Sequence, residues 1–310
     1  MSVRIATCNK AVKADAAAFV QKCEAEYRRG IERAALAILE NMSVCPVVLL
    51  SGPSGAGKTT TAKRIEEELE RHGVNSHTVS MDNYFSTLNP RTAPRTPEGE
   101  IDFESPLLLD MDLLNEHFAA LSAGKEIRIP YYMFSRQKRS ASQFTRMQLK
   151  DNEVAIFEGI HALNDVITDK NPGAFGLYIS ADTAYLGRGG TFKPEWTRLV
   201  RRVVRDNNFR GADAGYTIAL WENVMRGERS NIDPFIHKAR MKVNSSLGYE
   251  LNLLRDHALP LLRSIEPDMA GYEEISRLVP ILEQFEPMDS SLCPADSLLR
   301  EFIGGGIYEY

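Results

Sequence analysis

Residues 49–63 read LLSGPSGAGKTTTAK, and a chain carrying that run has few folds open to it. Gly52, Gly57, Lys58 and Thr59 meet the spacing G-x-x-x-x-G-K-[ST]. The apolar Val47, Val48, Leu49 and Leu50 stand immediately before and a helix-like stretch follows, which is the strand–loop–helix context in which this pattern holds phosphate. Glycines at 52, 55 and 57 let the backbone curl until successive N–H groups face an anion. A helix beginning near Lys58 adds the positive end of its dipole, Lys58 a full charge, and Thr59 a hydroxyl for Mg²⁺ held between phosphates. The candidate phosphate-binding set is therefore Gly52, Ser54, Gly55, Ala56, Gly57, Lys58, Thr59 and Thr60.

Five segments read as buried strands: 46–51, 76–82, 153–158, 175–181 and 239–245. Helical patterns separate most of them, which points to βαβ units. The expected fold is α/β, a P-loop NTPase-type doubly wound parallel sheet of about five strands, with a helical lid and an N-terminal helical extension. Apolar residues at spacings of three and four over 14–41 predict an amphipathic helix or helix pair, to which no chemistry is assigned. The expected divisions are a helical extension at 1–43, a P-loop domain at 44–285 with its lid at about 186–230, and a C-terminal tail at 286–310. Two interruptions stand out. Residues 87–106, with four prolines, are too long for an idle connector, and LGRGGTFKPEW at 186–196 suggests the hinge of a lid.

In open α/β sheets ligands sit beyond the carboxyl ends of the strands. The second strand ends at Asp82 and the third at Glu158. Beside a nucleoside triphosphate, two carboxylates could hold Mg²⁺, or one could accept a proton from an attacking hydroxyl while the other holds the metal. The plainer alternative is that each caps a following helix.

Net charge bears on the arginines. A formal charge of −5 gives no broad attraction to nucleic acid or an anionic membrane, so a local basic cluster is informative. Arg198, Arg201, Arg202 and Arg205 recur at helical spacing opposite Leu199, Val200, Val203 and Val204. Like charges at i,i+4 cost about 0.2–0.5 kcal/mol per pair, and a bound polyphosphate would reverse that sign. The run is therefore expected to face phosphate rather than solvent, with Arg210 extending it. His161 reads as a polar residue at a helix start, and Trp196 and Trp221 as packing residues. Cys8, Cys23, Cys45 and Cys293 form no C-x-x-C pair, so neither zinc nor a disulfide framework is signalled. The longest apolar run, 44–50, contains Pro46 and is far short of a membrane span, and the expected compartment is the cytoplasm.

GPSGAGKTT, MDNYF, DFESP, IPYYMF, FEGIHALN and RLVRRVVRDNNFRG, in that order, resemble the successive signatures of the uridine kinase and phosphoribulokinase superfamily. The likeness is closest to bacterial uridine kinase-like nucleoside kinases and runs from about Pro46 to Pro267. SLLREFIGG resembles the C-terminus of bacterial nucleoside kinases with an extra N-terminal domain, in whose place this chain has its helical first 43 residues.

The resemblance implies ATP and Mg²⁺ as cofactors and transfer to the 5′-hydroxyl of a uridine- or cytidine-like nucleoside. It makes Asp82 the general base, with Lys58 and Arg205 as catalytic partners, and puts Thr59 and Glu158 at Mg²⁺. It assigns Tyr84, Glu104, Tyr132, Gln137 and Arg139 to the acceptor, and Arg202, Arg205 and Arg210 to the lid. Gln137 stands where pyrimidine-nucleoside kinases have a histidine, and Leu220 where they have a lid glutamine. Leucine cannot hydrogen-bond, so the acceptor is less firmly implied than the transfer. A sugar phosphate or other small alcohol as acceptor, as in phosphoribulokinase-like relatives, is the second reading. A non-catalytic nucleotide-binding regulatory module is the third, although no guanine-reading N-K-x-D follows a strand. The implied partners are small molecules, with no nucleic acid and no membrane, and the resemblance allows a homo-oligomer.

Overall fold

A computed structural model describes residues 1–309. Its centre is a five-stranded sheet of β1 (Val47–Ser51), β2 (Asn75–Ser80), β3 (Glu153–Glu158), β4 (Phe175–Ser180) and β5 (Met241–Asn244). The spatial order is β5-β4-β1-β3-β2 and every pairing is parallel. Each strand lies within two residues of its expected position. The signal was strongest for β1, β3 and β4, the interior strands, which are covered on both faces and almost wholly buried, whereas the edge strands β2 and β5 are largely polar. Val48, Leu50, Ile156, Leu177 and Ile179 point into one core, and their neighbours Val47, Leu49, Ala155, Phe157 and Tyr178 into another. That alternation is the two-residue period of a strand.

The first core is closed by α1 (Ile5–Asn41) and α2 (Lys58–Arg71). Val20, Ile31, Ala34 and Ile38 of α1 are buried there, so the N-terminal helix is part of the cover of the sheet. The helix begins nine residues before the expected start. Asp15 breaks it with φ −163° and ψ 97°, and its Oδ1 accepts from the Ala18 N–H at 2.9 Å. The periodic run read from sequence is the part after that internal cap.

Two elements differ from expectation. The glycine-rich stretch at 186–196 is no open hinge: Ala184–Gly187 and Gly190–Phe192 form a tight antiparallel hairpin, and Ser2–Arg4 adds a parallel third strand. A second hairpin, Ile127–Met133 with Lys138–Met147, was not anticipated. Most of its second strand is exposed, so there was no apolar alternation to read.

After the small sheet, α3 (Pro194–Phe209) buries Leu199, Val200, Val203 and Val204 against α4 (Glu250–Arg263) and the short helix Arg300–Ile303. Leu298, Leu299 and Phe302 reach full burial in the first core. No helix among the described residues is long and apolar enough to cross a membrane.

Candidate active site

The glycine loop joins β1 to α2 over residues 52–57, and three of its glycines are required for separate reasons. A Cβ on Gly52 would lie 2.2 Å from the Ile179 carbonyl oxygen, so this residue permits close approach to β4. Gly55 and Gly57 have φ of +76° and +82°, the left-handed region that side chains disfavour. A Cβ on Gly57 would also strike Leu298 Cδ1 at 2.4 Å.

The carbonyls of this loop are held from behind. Arg198 Nη1 donates to Ser54 O at 3.3 Å, Arg201 Nη1 to Gly55 O at 3.2 Å and Ser245 Oγ to Ala56 O at 2.6 Å. In a trans peptide the C=O of one residue and the N–H of the next point in opposite directions. Tying down Ser54 O and Ala56 O therefore turns the Gly55 and Gly57 N–H groups away from those donors. Lys58 Nζ rests on Pro53 O at 3.2 Å.

This arrangement corrects the reading of the arginine run. Arg198 and Arg201 are buried and matched by acids distant in sequence, Glu228 at 2.8 Å and Glu250 at 2.6 Å. They shape the loop from outside and do not face ligand. Arg202 and Arg205 do reach the cleft, each sharing Asp206, and Arg202 Nη1 donates to Ser54 Oγ at 3.2 Å. Arg210 also lines it and lies 3.6 Å from Asp206.

The cleft has a volume of about 780 Å³ and gathers most of the expected residues: Ser54, Gly55, Gly57, Lys58 and Thr59 with Asp82, Glu104 and Glu158. Register explains the acids. Leu50 and Ser80 both pair with Glu158, so the ends of β1, β2 and β3 are level, and Asp82 follows two residues beyond Ser80. The Ser80 hydroxyl accepts from the Asp82 N–H at 3.3 Å and interacts with Glu158. Burial in the cleft raises the Asp82 carboxyl, with Lys58 and Arg210 pulling it back down. The Glu158 carboxyl is likewise raised by burial and opposed by Lys58, and Glu104 is raised by burial and opposed by Arg202 and Lys58. Burial lowers the Lys58 ammonium, and Glu158, Asp82 and Glu301 restrain the shift. One lysine thus sits among three acids, a charge pattern that an anionic ligand with its own cation would complete.

Gly52, Ala56 and Thr60 of the phosphate set lie beneath the loop. Thr60 is fully buried, and its Oγ1 is bound to Oε2 of Glu301, a residue of the cleft lining, at 2.6 Å. Four residues expected at the acceptor are not cleft residues. Tyr84 is fully buried and its hydroxyl meets His117 Nδ1 at 2.8 Å, so it belongs to the second core. Arg139 pairs with Asp110 at 2.9 Å and donates to Tyr84 O and Phe85 O, clamping the hairpin to the end of β2. Tyr132 packs behind Phe85 with ring centroids 5.5 Å apart, and Gln137 is exposed at the hairpin turn with φ +48°. His161 is 2 % exposed, and burial pushes its pKa down to about 4 against the backbone of Asn231 and Glu104, which pulls it up, so it is a neutral buried residue and no cap.

The cleft is also lined by Phe85, Phe103, Phe209, Arg300 and Tyr308, to which the sequence assigned no role. A smaller cavity of about 410 Å³ opens beside Asp169 and Lys238. Its lysine is already paired with Asp165 and Asp169, and it contains no part of the glycine loop.

Comparison with known proteins bears on this site. Uridine kinases from Schizosaccharomyces pombe and Halobacterium salinarum are each 29 % identical to the chain, over 199 and 164 residues. The first match takes in 62 % of this chain and 40 % of the relative, the second 53 % and 64 %. The chain thus spans less than two thirds of either relative. Among solved structures, a possible uridine kinase from Bacillus stearothermophilus aligns with TM-score 0.41 and 19 % identity, covering 64 % of this chain and 88 % of that one. The D-glycerate 3-kinase of Cryptococcus neoformans aligns with TM-score 0.45 and 16 % identity, covering 66 % and 89 %. The family model described as Phosphoribulokinase / Uridine kinase family matches residues 47–183. That region carries the glycine loop, Asp82, Glu104 and Glu158, and over it the chain is similar to the phosphoribulokinase and uridine kinase family.

Proposed function

We propose that the chain is an ATP-dependent kinase that transfers a phosphoryl group to an alcohol of a small molecule, with the 5′-hydroxyl of a nucleoside as the first acceptor to test. The observation that carries this reading is the convergence of the glycine loop, Lys58, Asp82 and Glu158 in one cleft at level strand ends. A module that only binds nucleotide has no use for Asp82 and the arginines together. The relatives named uridine kinase support the same reading.

The residues present fit ATP and Mg²⁺. The loop has the two positive-φ glycines and the retracted carbonyls that a triphosphate needs. Among the described residues no group of three or more His, Cys, Asp or Glu could cage a metal. Mg²⁺ in such sites is held largely by phosphate and water with one or two protein oxygens, and Thr59 and Glu158 are suited to that role. When bound, the cation would neutralise charge on the phosphate oxygens. Lys58 and the Arg202, Arg205 and Arg210 group would hold the same oxygens from the protein side, and Asp82 would take the proton of the acceptor hydroxyl.

Glu104 is the acceptor-side acid, and its position depends on Gly227. A Cβ there would lie 2.3 Å from Glu104 Cβ and 2.7 Å from its Cγ. Gly227→Ala is therefore expected to displace Glu104 and lower kcat/KM for the acceptor by roughly ten- to a hundredfold. The ADP dissociation constant should stay within twofold. A normal acceptor KM would remove Glu104 from the acceptor site.

The absence of Tyr84, Tyr132, Gln137 and Arg139 from the cleft lining favours keeping a second acceptor class, a sugar phosphate or other small alcohol. ADP release measured over nucleosides, sugar phosphates and small polyols decides. Stimulation by a nucleoside supports the first acceptor, and stimulation by sugar phosphates alone replaces it. No stimulation by any alcohol would leave nucleotide binding without transfer.

A further inference from the structure

We propose that residues 300–308, together with Phe209, form the seat for the base and ribose of the donor nucleotide, an inference that rests on the phosphotransfer reading and extends it. In phosphoryl transfer the attacking and leaving oxygens lie roughly in line through the transferred phosphorus. With Asp82 and Glu104 assigned to the acceptor, the nucleoside part of the donor must lie against a different part of the cleft lining. Phe209, Arg300, Gly304–Gly306 and Tyr308 form a further arm of that lining and have no part in the chemistry above.

The wall is rigidly built. The Arg300 guanidinium donates to four carbonyls, those of Ser290 at 3.3 Å, Cys293 at 2.5 Å, Pro294 at 3.3 Å and Gly304 at 3.1 Å. Ile307 N donates to Ala295 O at 3.0 Å, and the Tyr308 hydroxyl to Glu67 at 2.7 Å. Glu301, bonded to Thr60, fixes the segment to the helix that carries Lys58, so the spacing from the arm to the phosphate loop is set.

Its chemistry suits a planar heterocycle. A Cβ on Gly304 would stand 2.9 Å from the Phe209 ring, and one on Gly306 2.7 Å from Arg300 Cβ, so both side chains pack directly on this glycine backbone, of which Gly305 and Gly306 are exposed. Phe209 is 55 % exposed, an aromatic face presented to an otherwise polar cleft. The backbone groups of Gly304 are taken up by Arg300, the exposed Gly305 and Gly306 let the edge of a base come close to the main chain, and an aromatic ring offers stacking.

Calorimetric titration with ADP and with inorganic tripolyphosphate separates base from phosphate. Two variants of the full protein are compared with the unaltered chain: Phe209→Ala, an exposed position, and removal of residues 305–310, which leaves Arg300 its four carbonyls. Each is expected to weaken ADP about tenfold or more while tripolyphosphate stays within twofold. Unchanged ADP affinity in both variants would overturn the proposal with the kinase reading intact. Equal losses for ADP and tripolyphosphate would overturn it too, because the segment would then act only through the phosphate loop. Failure of the unaltered chain to bind ADP at all would sink this proposal and the kinase reading together.

Discussion

Asp82→Asn is expected to lower kcat by about 10²–10⁴-fold while leaving the ADP dissociation constant unchanged or slightly tighter. The substitution keeps shape and removes the one property that proton acceptance needs. Asp82 stands at the end of β2, open to the cleft, with its carboxyl raised by burial and restrained by Lys58 and Arg210. A base shifted upward is better matched to a hydroxyl proton than an ordinary aspartate. It also places the acid limb of kcat/KM above the usual aspartate range, since activity needs the ionised form and is lost as pH falls through the raised value. Removing a negative charge beside Lys58 cannot weaken an anion held there, which is why affinity is not expected to drop. Turnover within threefold of the unaltered chain would take Asp82 out of the chemistry. Stopped assays of ADP formation, paired with calorimetry, read both quantities.

Arg201→Leu is expected to cost about 3–5 kcal/mol of stability. Arg201 and Glu250 are each fully buried and 2.6 Å apart, and the arginine also donates to Ser245 O at 2.9 Å and Gly55 O at 3.2 Å. Leucine would strand the Glu250 carboxylate with only the Leu247 N–H at 3.0 Å. Burial already raises the Glu250 carboxyl, and losing Arg201 removes the main force opposing that rise. A raised carboxyl favours the folded state when protonated and penalises it as pH climbs through the folded value. The deficit should therefore be larger at pH 8 than at pH 5. Urea melts at the two pH values check the sign, and Arg201→Leu combined with Glu250→Leu should recover much of the loss. A pH-independent deficit would mean that packing, not charge, is what Arg201 supplies.

Legibility followed the range of the interactions. The five strands and the glycine loop could be read because their signals are local: apolar runs, and residues that must sit at set spacings. Asp82 and Glu158 were found because strand ends in a parallel sheet are level. The arginines were half read. Nothing in the periodicity of α3 distinguishes Arg201 from Arg202, and only the distant Glu250 and Glu228 decide which guanidinium turns inward. Tyr84 and Arg139 were drawn into the acceptor site by likeness to a family, whereas His117 and Asp110 hold them elsewhere. The arm lined by residues 300–308 was noticed as a family-like C-terminal motif but given no role, because glycine-rich sequence carries no pattern that says what it lies against.

The buttressing of the glycine loop by Leu298 and of Thr60 by Glu301 has a consequence for the order of assembly. Those partners are about 240 residues apart in the chain. During synthesis the loop emerges long before its backing, which the sheet strands all precede. Contacts of such separation close late, after the local helices and neighbouring strands have formed. On the kinase reading, capture of nucleotide would therefore wait for that backing, and a ribosome-bound intermediate lacking it would have its β-sheet before it had its ligand.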